Sequence, residues 1–192
     1  MLFRSKLSQV PMVYQPGERW MYSLSTDVCG ALVEIISGKP FAQVLQDTIF
    51  DPLGMVDTAF HVPADKQHRF AANYQRGADK QLELIDDPAK SPYLSPPGFY
   101  SGGGGLVGTV ADYMRFCEML RRGGELDGVR IIGPRTLAMM HKNHLPNGQD
   151  LTSSAIGAFS ETSNAGIGFG LGFASTMDPV KAGVMGGGDY YW

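Results

Sequence analysis

Cysteine is scarce. The 192 residues hold two, Cys29 and Cys117, and no C-x-x-C pair. That excludes a cystine-stapled mini-scaffold and a thioredoxin-like redox motif. Each falls on the apolar side of a predicted helix, so both are expected as buried free thiols. A dominant charge is missing too. A net charge of −3, with 18% charged residues, gives no electrostatic case for nucleic acid or an anionic membrane. No apolar run approaches the length of a membrane span. Residues 1–6 lack the apolar core of a secretory signal, and cytoplasmic and periplasmic locations both stay open. The glycines at 102–105 have no P-loop lysine after them, so they read as a tight connection and not as a nucleotide site. His141 and His144 sit three apart at a helix end without a neighbouring Cys or carboxylate, and read as surface imidazoles. No metal and no cofactor is expected.

What remains is a globular balance. Hydrophobic residues make up 43%, with 25 glycines and 12 prolines. This allows one domain with a sizeable core and many turns, a mixed α/β (α+β) chain and not a pure helical bundle.

Residues 1–13 read as the tail of an earlier element. Periodicity predicts a helix over Ser25–Ile36 with Val28, Leu32, Ile35 and Ile36 on its core face. Ser37-Gly38 ends it. Pro40 opens a second helix that Asp51-Pro52 stops, and the two are expected as a hairpin. Thr58–Val62 reads as a short strand. Ala71–Gln75 and Gln81–Ile85 read as a strand pair around Gly77-Ala78-Asp79. Residues 86–97 read as a surface loop. Thr109 is the predicted N-cap of a third helix, with Asp112 completing a capping box. Its apolar stripe is Val110, Tyr113, Met114, Phe116, Cys117 and Leu120. After Gly123-Gly124 come a turn at Asp127-Gly128, a strand over Val129–Ile132, and a helix from Pro134 with Leu137 and Met140 inward. Residues 147–164 read as a flexible polar loop. Phe169–Met177 reads as one strand whose glycines meet another backbone closely.

One stretch stands out, Tyr14-Gln15-Pro16-Gly17-Glu18-Arg19-Trp20-Met21-Tyr22-Ser23-Leu24. Pro16-Gly17 signals a type II turn. Trp20 and Tyr22 then alternate onto one side, and the helix follows at once. A tyrosine is thus delivered where an extended segment meets a helix N-terminus. The positive end of a helix favours a phenolate, and a phenolate can act as a general base.

Pro16-Gly17, Trp20, Tyr22-Ser23, Asp27 and Gly30 together resemble the tyrosine motif of the serine β-lactamase-like hydrolases. That group takes in class C β-lactamases, family VIII carboxylesterases, related acyltransferases and penicillin-binding proteins. Pro52-Leu53-Gly54-Met55 with Thr58 and Phe60, Ser101–Leu106 and Gly168–Phe173 are similar to later stretches of the same group. The resemblance runs from about Pro11 to Trp192. It implies a β-lactamase/transpeptidase-like fold, a helical lobe plus a few antiparallel strands.

It also implies roles. Tyr22 would help deprotonate a nucleophilic serine and then protonate the leaving group. Leu24 stands where β-lactamases carry Asn, and Leu cannot hydrogen-bond a substrate amide. That departure favours an esterase or acyltransferase over a true β-lactamase. Trp192 stands where the W-G-G or H-G-G motif of the esterase-like branch would open, and would line the substrate. Lys181-Ala182-Gly183 mimics K-T-G but lacks its hydroxyl, and reads as coincidence.

The group's S-x-x-K nucleophile motif is absent, since no serine has Lys three positions on, and there is no G-x-S-x-G elbow. The chain is therefore expected to be one β-lactamase-like domain, incomplete at both ends, from a serine hydrolase that attacks ester or lactam carbonyls through an acyl-enzyme. By itself it is expected to be inactive. The alternatives are a non-catalytic scaffold of the same fold and a peptidoglycan DD-peptidase. Exposed faces and an open edge along Phe169–Met177 imply self-association, or a second chain supplying the missing elements.

Overall fold

The computed structural model describes residues 2–160 and 162–192. Helix α1 (Leu2–Leu7) is short, and Val10, Met12 and Val13 after it are exposed. Helix α2 (Ser25–Ser37) has the predicted length and ends at Gly38, which takes φ +68. The next helical stretch is composite: α3 (Phe41–Leu45), a π-helical turn (Gln46–Phe50) and α4 (Asp51–Leu53). Asp51-Pro52 does not stop it. Pro52 falls in the first turn after the register changes, where a missing N–H is tolerated, and Gly54 at φ +64 ends the run. The two helical stretches are bent by 81° at their junction, a corner and not the expected hairpin. Among the described residues, no single helix is long and apolar enough to cross a membrane.

The chain divides into two compact units. One holds residues up to Val28 together with Met119–Trp192, and the other holds Cys29–Glu118. In the Cys29–Glu118 unit, Phe50, Leu53, Met55, Phe60 and Val62 are buried. Strands β1 (Asn73–Arg76) and β2 (Leu82–Asp86) form the predicted antiparallel pair, within two residues of the expected ends. The strand expected over Thr58–Val62 is reduced to a single bridge, Ala59 with Val107. The N–H of Val62 turns to the Tyr93 carbonyl at 2.7 Å, and Pro63 has no N–H to continue a ladder.

Helix α5 (Val110–Arg121) starts as predicted, with Thr109 Oγ1 accepting from the Asp112 N–H at 3.2 Å. The reciprocal half of the box is replaced. Asp112 instead accepts from the Asp57 N–H at 2.7 Å and the Thr58 hydroxyl at 2.8 Å. Asp57 itself pairs with Lys66 at 2.8 Å and Arg69 at 2.7 Å.

The expected core face of α2 is overturned, and that of α5 holds only in part, with Phe116, Cys117 and Leu120 half-buried. Val28, Leu32, Ile35 and Ile36 are exposed, Ile36 at 84%, and so are Val110, Tyr113 and Met114. Cys29 is exposed and Cys117 half-buried, although both are free thiols as expected. The buried positions of α2 are Asp27, Gly30 and Ala31, which keep the i, i+3, i+4 spacing with small side chains. A Cβ on Gly30 would stand 3.2 Å from the Gly102 Cα. Backbone proximity, and not apolar bulk, chose this face.

In the other unit, β3 (Glu125–Leu126) pairs with β4 (Val129–Arg130), and α6 (Pro134–Met140) buries Leu137. The stretch expected as a flexible polar loop contains helix α7 (Leu151–Ser154), where Leu151 is fully buried. Asp150 caps α7 and also accepts from the Gly166 N–H at 3.0 Å, which composition could not reveal. The single strand expected over Phe169–Met177 is a hairpin, β5 (Ile167–Phe169) and β6 (Ala174–Thr176), turned at Gly172 with φ +93. The expected close approach is present at Gly170, where a Cβ would collide with the Met140 carbonyl oxygen. Strand β7 (Tyr190–Tyr191) pairs on β6, so the edge expected to be open is covered by two residues. The core is Leu145, Leu151, Ile167 and Ala174, with Trp20, Ala155 and Phe169 packed against it.

Candidate active site

The Tyr22 segment is built step by step. Gly17 has φ +88 and the Glu18 N–H reaches the Gln15 carbonyl at 3.2 Å, the type II turn the sequence implied. The chain then runs extended. Trp20 makes a parallel bridge with Ala155: its carbonyl accepts from the Ile156 N–H at 3.2 Å. Its indole lies on the core and its ring centroid is 5.0 Å from that of Phe169. Tyr22 projects two residues on, with its centroid 6.3 Å from Trp20. The Val28 N–H donates to the Leu24 carbonyl at 3.1 Å, so Leu24 holds the N-cap position of α2. Tyr22 thus sits two residues ahead of the cap.

Of the three residues singled out in the sequence, two are brought together. The Tyr22 and Trp192 rings lie 5.7 Å apart at 45°. Trp192 follows β7 directly and also packs edge-on to Phe169 at 4.9 Å. Tyr22 is 53% exposed, Leu24 51% and Trp192 50%. One face of this group therefore rests on the core through Trp20 and Phe169, while its outer rings stay open to solvent. Phe159 completes it, 5.0 Å from Tyr22 and 4.9 Å from Trp192. Sequence reasoning missed Phe159. A lone aromatic in a Gly/Ser-rich stretch was the only signal.

Asp150 holds the loop behind this group. Its carboxyl is kept below the ordinary carboxylate range, chiefly by the Gly166 backbone N–H and also by Ser153, against the opposing effect of burial. Lys181-Ala182-Gly183 lies on a helical turn, α8 (Pro179–Ala182), capped by Asp178, and not on a strand. His141 stacks on Tyr190 at 4.6 Å and 7°, and His144 Nε2 lies 2.9 Å from the Met139 carbonyl. Among the described residues, no three His, Cys, Asp or Glu side chains converge. In the Cys29–Glu118 unit, Gly104 and Gly105 line a cavity of about 260 Å³ with Phe60, Tyr93 and Phe99.

The site so described is a tyrosine on an extended segment just ahead of a helix, beside a tryptophan from a short antiparallel sheet. The Beta-lactamase family model covers residues 2–192, and the chain belongs to that family. Protein Rv1367c of Mycobacterium tuberculosis is 37% identical over 190 residues, covering 97% of this chain and 46% of its own length. Esterase EstB of Burkholderia gladioli is 33% identical, covering 93% of this chain and 45% of its own. The structure of EstCE1, a hydrolase with promiscuous acyltransferase activity, superposes with a TM-score of 0.75 at 29% identity, covering 95% of this chain and 47% of that one. The mixed helices and short antiparallel strands are those of the β-lactamase/transpeptidase-like fold. The chain spans about half the length of the relatives it matches.

Proposed function

We propose that this chain carries the tyrosine side of a serine hydrolase site acting on ester or amide carbonyls through an acyl-enzyme, with carboxylesters preferred over β-lactams. The observation that supports it most is the half-exposed Tyr22 beside Trp192, just ahead of α2. Tyr22 serves as the base that takes the proton from the attacking serine and returns it to the leaving group. Trp192 supplies a flat wall for the substrate. Leu24 offers no hydrogen bond to an acylamino side chain, which disfavours lactam recognition. The esterase and acyltransferase chemistry of EstB and EstCE1 points the same way. The nucleophile and its lysine come from outside these 192 residues, because no S-x-x-K lies within them. By that reading the exposed faces of α2 and α5 meet either a second copy or a chain bearing the S-x-x-K element.

A second reading has one observation in its favour. The same absence of S-x-x-K fits a non-catalytic scaffold of this fold. The experiment that separates the two is Tyr22→Phe in the hydrolase assembled with its S-x-x-K element. Ester turnover is expected to fall roughly 10²–10⁴-fold, the scale of a positioned acid–base group. Near-normal turnover removes Tyr22 from the mechanism. Absence of any serine labelling by a fluorophosphonate favours the scaffold. The companion change Leu24→Asn is expected to raise lactam over ester hydrolysis, and an unchanged ratio removes only the specificity argument.

A further inference from the structure

We infer that Phe159 is a specificity-determining residue of the Tyr22 site, an aromatic face that selects substrates carrying a flat aromatic group beside the reacting carbonyl. The inference rests on the reading of Tyr22 proposed above. Two observations carry it.

The first is the backbone. Phe159 has φ +69, in the left-handed region where a bulky side chain is an outlier. The chain repeatedly uses glycine where φ is positive, and does so two residues earlier at Gly157 with φ +75. A glycine at 159 would serve the turn without strain. The strained form is held in place. The Asn164 side-chain amide donates to the Phe159 carbonyl at 3.1 Å, and the Ser160 N–H and hydroxyl donate to the Gly157 carbonyl at 3.3 and 2.6 Å. Such conformations persist where the surroundings over-determine them, and they cluster at functional sites.

The second is what the ring touches. Its centroid is 5.0 Å from Tyr22 at 58°, 4.9 Å from Trp192 at 45° and 6.0 Å from Trp20 at 86°. The strained turn therefore spends its conformation on contact with both proposed site residues and with the indole that anchors them. Tyr22 and Trp192 remain half exposed, so the cluster still offers ring surface. A flat aromatic group can join it by offset or edge contact. A saturated ring of the same size gains buried area but not the quadrupole attraction.

The chain reports on this itself. Its two tryptophans, Trp20 and Trp192, both lie in the cluster, so tryptophan fluorescence follows occupancy there. The 192-residue chain is titrated with phenyl acetate and with cyclohexyl acetate. Phenyl acetate is expected to bind about three- to tenfold more tightly, the worth of an aromatic pair. Phe159→Gly keeps the backbone form and removes the ring, and is expected to erase that preference. Phe159→Tyr keeps the ring and is expected to retain it. Equal binding of the two esters by the unaltered chain overturns the inference. So does an undiminished preference in Phe159→Gly, or its loss in Phe159→Tyr. Tyr22→Phe keeps its own ring, so the preference is expected to survive in it whatever happens to turnover, and that separates failure of this inference from failure of the base assignment.

Discussion

Asp112→Ala is expected to lower stability by about 3 kcal/mol. The carboxylate is buried in the first turn of α5 and accepts two hydrogen bonds, from the Asp57 N–H at 2.7 Å and the Thr58 hydroxyl at 2.8 Å. Bonds to a charged acceptor are worth about 1.5–3 kcal/mol each, and an orphaned buried donor carries its own penalty. An acid in the first turn of a helix adds about 0.5 kcal/mol. The gross loss is about 4 kcal/mol, and water entering the space left by alanine returns part of it to the Asp57 N–H. The Thr109 cap is untouched, because it holds the backbone of Asp112 and not its side chain. Asp112→Asn keeps an acceptor oxygen and is expected to cost about 1 kcal/mol. Both tryptophans lie outside the Cys29–Glu118 unit, so urea unfolding is followed by far-ultraviolet circular dichroism. Thr58→Val tests the pairing: in a double-mutant cycle with Asp112→Ala the coupling is expected to be about 1 kcal/mol. A loss under about 0.5 kcal/mol in Asp112→Ala, with strictly additive effects in the cycle, would refute the claim that this carboxylate fixes the 57–58 segment to α5.

The other predictions concern pH and association. Arg69 first, then Lys66, hold the Asp57 carboxyl down at about 2. A carboxylate depressed in the folded state contributes stability that is full above its unfolded value near 4 and lost as pH falls toward 2. The urea midpoint is therefore expected to drop between about pH 4 and pH 2 more steeply in the unaltered chain than in Asp57→Asn, and parallel pH profiles would contradict the ion-pair assignment. The exposed apolar face of α2 predicts concentration-dependent association. Leu32→Glu with Ile35→Lys is expected to abolish it in sedimentation velocity, and a compact monomer at high concentration before any substitution would exclude self-association.

Where a single residue type dictates the backbone, the sequence was readable. Gly38 and Gly17 take the positive φ their turns require, Thr109 caps α5, and the β1–β2 pair falls within two residues of its expected place. Composition misled where one long-range contact outweighed it. The 147–164 stretch looks like a polar loop, yet Asp150 reaches Gly166 and Leu151 is buried, so these two residues tie α7 into the fold. Alternation over Phe169–Met177 could not show the Gly172 turn, because a tight hairpin leaves the period of its two strands unbroken on either side.

The helices teach a different lesson. Amphipathic periodicity identified α2 and α5 correctly as helices but assigned the wrong inner face to α2. The pattern Val28, Leu32, Ile35, Ile36 marks a face that wants to be covered, and periodicity carries no information on what covers it. The face that is buried, Asp27, Gly30 and Ala31, is small because Gly30 lies against the Gly102 backbone, where a Cβ would crowd. Asp27 and Gly30 also carried the family resemblance. Gly30 and the 102–105 run are thus readable as a motif before they are readable as packing, because a motif records where backbones must touch while hydropathy records only how greasy a face is. Tyr22 obeys the same logic. Its place ahead of α2 follows from Pro16-Gly17 and the alternation through Trp20, all local. Its neighbours Phe159 and Trp192 come from opposite ends of a long stretch of chain and meet it only through the Trp20 bridge to Ala155 and the β6–β7 pairing. Local sequence could therefore position the tyrosine, while the wall around it had to wait for the fold.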